Sequence, residues 1–216
     1  SNGGRGSGGL NGGLHHLKHD GSRITSSSLG RKIPLIKEME KVVSSKTLYR
    51  GRLIDLRLDE VLLSSGRKVR REIVVHPGAS AILPIMESGK VLMVRQYRHP
   101  VGGVLLEIPA GTLKPGEDPM ACAARELEEE TGYRAEKLIH LITIYPAPGY
   151  SSEVLHIYLA RGLKRGIRAP EVDEEISVIE MTFDQILDGI RDGKIRDSKT
   201  IAAILYYLIS IKAHHT

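Results

Sequence analysis

The sequence predicts an α/β fold, a mixed sheet sandwiched by helices with a small antiparallel β module ahead of it. Three observations carry that expectation. Strand-like runs lie on both sides of one sharply bounded helix, two helical patterns close the chain, and 41% apolar residues suffice for a real core. With one Phe and no Trp among the 216 residues, that core is built from Ile, Leu, Val and Ala.

Taken in order, residues 1–32 are rich in Gly, Ser, Asn and His and lack apolar periodicity, which reads as a flexible or expression-derived tail. His15, His16 and His19 there are open to metal binding or to no role at all. Residues 33–75 form the β module: Thr47 to Leu63 alternates as one strand, Ser64–Arg67 turns, and Lys68 to Val75 returns as a second. Residues 76–216 are the main domain. Ala79–Met86 and Val91–Arg98 flank Glu87-Ser88-Gly89-Lys90, a hairpin signal, and Val104–Ile108 is a short strand running into Pro109-Ala110-Gly111. Asp118 caps a helix with Pro119 in its first turn, and Gly132 stops it. Leu138–Tyr145, Val154–Ala160 and Ile176–Met181 read as strands and Thr182–Arg191 as a short helix. Asp197 or Ser198 caps a last amphipathic helix ending near Lys212. There is no internal repeat.

Composition excludes several classes of function. The single cysteine, Cys122, rules out an intramolecular disulfide or a multi-cysteine zinc site, and reads as a packing residue in a protein of a reducing, cytoplasmic setting. No apolar run approaches the ~20 residues of a membrane span, and the N-terminus lacks the apolar core of a secretory signal. Most of the formal charge of +5 sits in residues 1–32, where Arg5, Lys18, Arg23, Arg31 and Lys32 face Asp20 alone. The nearly neutral body points away from a nucleic-acid partner.

Within the central helix Glu126, Glu129 and Glu130 sit at i, i+3 and i+4 and share one face. Stacked like charges call for a neutralising cation, and carboxylate oxygens suit Mg²⁺ or Mn²⁺. The wider pattern is Gly111, Glu117, Arg125-Glu126-Leu127, Glu129-Glu130 and Gly132-Tyr133. Seven such fixed letters coincide by chance roughly once in 10⁸ windows. The pattern resembles the signature of the Nudix hydrolases, which cleave nucleoside diphosphates linked to another moiety. The resemblance covers about residues 70–212 and implies the same α/β/α sandwich. It also implies an N-terminal sheet that packs against a second subunit, hence a homodimer.

Four further runs are similar to the ADP-ribose pyrophosphatases within that family: Arg71–Ala79, Val94–Arg98, Leu106–Gly111, and the Pro-Gly stretch holding Pro148. They imply a nucleotide-sugar substrate, ADP-ribose, cleaved with Mg²⁺ to AMP and ribose 5-phosphate. Glu126 and Glu130 are the expected metal ligands, with the Ala110 carbonyl, and with Glu129 as a direct or water-mediated ligand or a catalytic group. Glu117 either touches a metal or holds the loop, and Arg125, turned away from Glu126, pairs with Glu129 or Glu117. The resemblance draws the general base from a loop after the motif, here Glu174 first, then Glu171 and Glu175, although Val172 stands where the subgroup usually has an acidic residue. Arg98, Arg95, Arg71 and Glu72 are the expected substrate contacts, together with Pro148. Two rivals stay open: another nucleotide such as NADH or a dinucleoside polyphosphate, and a Nudix-fold module that binds ADP-ribose without cleaving it.

Overall fold

The structure, a computed structural model, describes residues 40–169 and 175–213. The glycine-rich tail with its three histidines lies outside the described residues. The described residues open with β1 (Glu40–Arg50), β2 (Asp55–Leu63) and β3 (Lys68–Val75), an antiparallel sheet in that order. Among its described residues the module therefore has three strands where sequence alternation predicted two. Thr47–Leu63 is broken by a tight turn in which the Gly51 amide donates to the Ile54 carbonyl at 2.9 Å. A Cβ at Gly51 would lie 2.7 Å from that same oxygen, so glycine is what allows the turn.

The main domain continues with β4 (Ala79–Pro84), β5 (Val91–Arg98), a 3₁₀ turn (His99–Val101), β6 (Gly103–Glu107), β7 (Ala110–Thr112) and α1 (Pro119–Thr131). Then come β8 (Tyr133–Ile144), β9 (Leu155–Arg165), β10 (Ile176–Met181), α2 (Phe183–Arg191) and α3 (Ser198–Ala213). The strands form two sheets. One is mixed, ordered β7-β4-β9-β8 with β4 and β9 parallel, and the other is antiparallel, ordered β10-β5-β6. The predicted β4–β5 hairpin is thereby corrected. Its turn closes, with the Met86 amide on the Lys90 carbonyl at 2.8 Å, but only the Ile85–Val91 bridge joins the strands. Every residue of β4 is buried, so this strand finds partners on both edges and cover on both faces.

Alternate residues of the mixed sheet pack in opposite directions. Ala81, Leu83, Leu155 and Ile157 join Ile186 of α2 and Ala203, Ile204 and Tyr207 of α3. Ile82, Tyr158 and Ala160 instead meet Ala123 and Leu127 of α1. The sheet is thus covered by α1 on one face and by α2 and α3 on the other. The end of β5 and the strand β7 meet the starts of β4, β9 and α3 around one cleft.

Candidate functional site

The central helix is bounded by local chemistry. Asp118 Oδ1 accepts from the Met120 and Ala121 amides at 2.9 and 3.1 Å, and Gly132 closes the other end with φ 74°. Because Ala123 and Leu127 must face the sheet, the carboxylates one to three positions from Leu127 are carried to the flank beside β7. There Glu126 is 9% exposed and Glu130 1%, while Glu129 is half-buried. A Cβ on Gly111 would lie 2.0 Å from Glu126 Oε1, so the carboxylate rests directly against the β7 backbone, next to Ala110.

Arg125 organises this flank. Its Nε and Nη2 donate to the two oxygens of Glu117 at 2.8 and 2.9 Å, and Nη2 also reaches the Thr112 carbonyl at 3.2 Å. Its Nη1 donates to Glu126 at 2.5 Å and to Glu129 at 2.9 Å. The expectation that Arg125 turns away from Glu126 is therefore corrected: the long side chain folds back far enough for one guanidinium to serve three carboxylates. Arg125's hydrogen bonds, helped by the Lys114 amide and outweighing burial, hold the Glu117 carboxyl down to about 2. Both its oxygens are engaged, which makes Glu117 the strut between loop and helix. Cys122 is buried behind it, its thiol pushed up to about 11 by burial.

The donor chemistry fits a hard divalent ion: three carboxylates on adjoining helical turns, against a strand whose glycine leaves the backbone accessible. Among the described residues, no three His, Cys, Asp or Glu side chains already converge as a metal cluster. Arg125 already donates to Glu126 Oε1 and Glu129 Oε2, so a cation drawing on those oxygens would compete with its guanidinium.

Beside the carboxylates lies a cleft of about 290 Å³ whose lining includes His76, Arg98, Ala110, Gly111, Glu153 and Lys199. Arg98 Nε and Nη2 donate to Glu107 Oε1 and Oε2 at 2.8 and 2.7 Å, a bidentate pair. Glu107 is 1% exposed and also accepts from Lys199 Nζ. Burial pushes the Glu107 carboxyl up, but the Arg98 hydrogen bonds and the Lys199 charge outweigh it and hold the group below its ordinary value. Asp197 Oδ1 takes a second Lys199 bond at 3.0 Å.

The remaining expected site residues are dispersed. Arg95 is exposed and, three residues from Arg98 on β5, points to the opposite face. Arg71 on β3 is paired with Glu40 of β1, and Glu72 is exposed opposite Leu58; neither lines the cleft. Pro146 lines the cleft, whereas Pro148 is exposed in the turn beyond it. That turn is tied to β3 by the Val74 amide on the Tyr150 carbonyl at 2.8 Å. Glu175 is exposed just before β10, and Glu171 and Glu174 lie outside the described residues.

Glu107, Glu153, Lys199 and His76 were not singled out from the sequence. Glu107 carried a usable signal, a carboxylate inside an apolar strand, because a buried charge needs partners. Nothing local marked Lys199, which reads as an ordinary first-turn residue of a helix.

Comparison with known proteins agrees with this architecture. Residues 74–204 match the NUDIX domain, and residues 40–74 match the nucleoside diphosphate sugar hydrolase N-terminal domain. The chain is 42% identical to the methanol dehydrogenase activator of Bacillus methanolicus, over 82% of this chain and 96% of that protein. It is 41% identical to the ADP-ribose pyrophosphatase of Bacillus subtilis, over 77% and 91% respectively. At 34% identity it resembles the GDP-mannose pyrophosphatase of Yersinia pestis, over 70% and 80%. Among solved structures, one described as an ADP compounds hydrolase superposes with a TM-score of 0.73 at 23% identity, covering 82% of this chain and 96% of that one.

Proposed function

This chain belongs to the Nudix family and is a hydrolase, and we propose that its substrate is ADP-ribose, cleaved at the diphosphate to AMP and ribose 5-phosphate. The observation that carries the reading is the Glu126–Glu130 flank lodged against Gly111 at the edge of a cleft lined by Arg98. Support for this substrate comes from the 41% identity to an ADP-ribose pyrophosphatase over nearly the whole of that protein.

In this proposal Glu126, Glu130, Glu129 and the Ala110 carbonyl would hold Mg²⁺, with Mn²⁺ able to substitute. Bound there, the ion would supply charge neutralisation at the phosphoryl oxygens and activation of water. Arg98 meets a phosphate and orients it. A carboxylate from Glu174, or from Glu171 or Glu175, takes the proton of the attacking water. The new bond is water oxygen to phosphorus, and the bond that breaks joins that phosphorus to the bridging oxygen. Arg71 and Glu72 lie on the N-terminal sheet and do not line this chain's own cleft, and neither do Arg95 and Pro148; in a homodimer built on that sheet these four would serve the partner's cleft.

Release of AMP from ADP-ribose, with and without Mg²⁺, tests this. Absence of metal-dependent AMP between about pH 7 and 9.5, where a general base has its best chance, would sink the proposal. Glu130→Gln is expected to abolish turnover while the melting temperature stays close to that of the parent.

A further inference from the structure

Lys199 lies outside the signature helix and outside every run that resembles the ADP-ribose pyrophosphatases, yet it stands in the cleft wall. It is the second residue of α3, and its side chain is only 14% exposed. Its ammonium donates to Glu107 Oε2, the same oxygen that takes Arg98 Nη2 at 2.7 Å. Two cations on one carboxylate oxygen are necessarily near neighbours, and each repels the other unless further negative charge is present. Asp197 supplies it, at 3.0 Å from Lys199 Nζ. The Arg98 pKa is raised first by its hydrogen bonds to Glu107, against burial, and then by the fields of Glu107, Glu130 and Asp197. Both cations line the cleft that Ala110 and Gly111 also line.

The group is held rigidly. Thr200 Oγ1 donates to Asp197 Oδ2 at 2.6 Å and accepts from the Ile108 amide at 2.9 Å. Ile108 follows Glu107 and precedes Pro109 and Ala110, so one turn of α3 fixes the corner that carries both Glu107 and the Ala110 carbonyl. An ammonium has three N–H donors, and Glu107 and Asp197 account for two of them. Arg98 makes its pair with Glu107 through Nε and Nη2, leaving Nη1 outside that pair.

We propose that Lys199 and Arg98, locked side by side on Glu107, form a two-cation seat for one phosphoryl group of the substrate, with Lys199 as a binding residue for that reaction. The proposal rests on the reading of this cleft as a diphosphate site. Arg98 gives a planar fork and Lys199 a point charge, which together suit a tetrahedral oxyanion better than either alone. Glu107 and Asp197 already match the charges of Arg98 and Lys199, so the seat offers an incoming anion aimed N–H donors rather than surplus positive charge.

The test measures dissociation constants by calorimetry for ADP-ribose, GDP-mannose and inorganic pyrophosphate, without divalent metal so that no turnover intervenes. Lys199→Met is expected to weaken all three by roughly 10- to 100-fold, the worth of a hydrogen bond to a charged group, while Lys199→Arg retains most of the affinity. Because Lys199→Met leaves Glu107 with one cation fewer, the double variant Glu107→Gln/Lys199→Met is compared with Glu107→Gln alone. The same loss between these two supports the seat, even if the single Lys199→Met variant does not fold. Equal affinity in each comparison would show Lys199 to be a structural counter-charge and overturn the proposal. If the parent releases no AMP from ADP-ribose but its pyrophosphate affinity depends on Lys199, the seat stands and the ADP-ribose reading falls.

Discussion

Gly111 and Glu117 show how single residues hold the carboxylate flank in place. At Gly111 an added methyl meets the Glu126 carboxylate at 2.0 Å, and the end of that side chain can swing aside. Gly111→Ala is therefore expected to leave the melting temperature almost unchanged while turnover falls by about 10- to 100-fold, the usual cost of misorienting a metal ligand. Activity within about twofold of the parent would contradict the close approach seen here. Glu117 is held at about 2 in the fold, against an ordinary 4.5, first by its bonds to Arg125. A depressed carboxyl stabilises the fold fully above its unfolded value and loses that contribution as pH falls toward its folded one. Parent and Glu117→Gln should accordingly differ most in melting temperature above pH 4.5 and converge as pH drops toward about 2; a constant gap would rule out this linkage. Residue types and spacing made the Glu126, Glu129 and Glu130 set legible. Glu107 and Lys199 escaped because the partners that make them meaningful, Arg98 and Asp197, are brought together only by the meeting of β5, β6 and α3.

At the level of elements, legibility followed the range of the interactions. Helix α1 was readable from cap to stop because Asp118, Pro119 and Gly132 act within one turn of themselves. The same holds for α2, where Thr182 and Gln185 exchange side-chain and backbone bonds as a capping box. Thr182→Ala is expected to cost about 1 kcal/mol in urea unfolding, since Ile186 carries that helix into the core. An unchanged midpoint would mean that packing alone holds α2. Strands were legible as strands but not in their pairing. The alternation of β1 runs into that of β2 across the Gly51–Ile54 turn, so periodicity saw one strand. The Glu87–Lys90 turn looked like a hairpin, although β4 and β5 leave it for different sheets.

Across the whole molecule, the exposed apolar surface is uneven. Every residue of β1 is exposed, including Val42, Val43, Leu48 and Tyr49, the last at 61%. A long open edge with apolar side chains invites pairing with another chain. Light scattering on the intact protein is expected to give twice the 23.8 kDa chain mass, falling to one chain in Val43→Glu/Tyr49→Glu. A monomer at all concentrations would remove the homodimer from the proposed function. No helix among the described residues is long and apolar enough to cross a membrane. The sequence by itself determined the capped acidic helix, the order of most elements, the family and the chemistry its carboxylates favour, because each of these is written in residues close together along the chain. Only the tertiary structure decided that the main-domain strands divide into two sheets and that Arg98 and Lys199 share Glu107. Those outcomes depend on contacts between residues as many as 92 apart, as Glu107 and Lys199 are, and such distances leave no periodic trace.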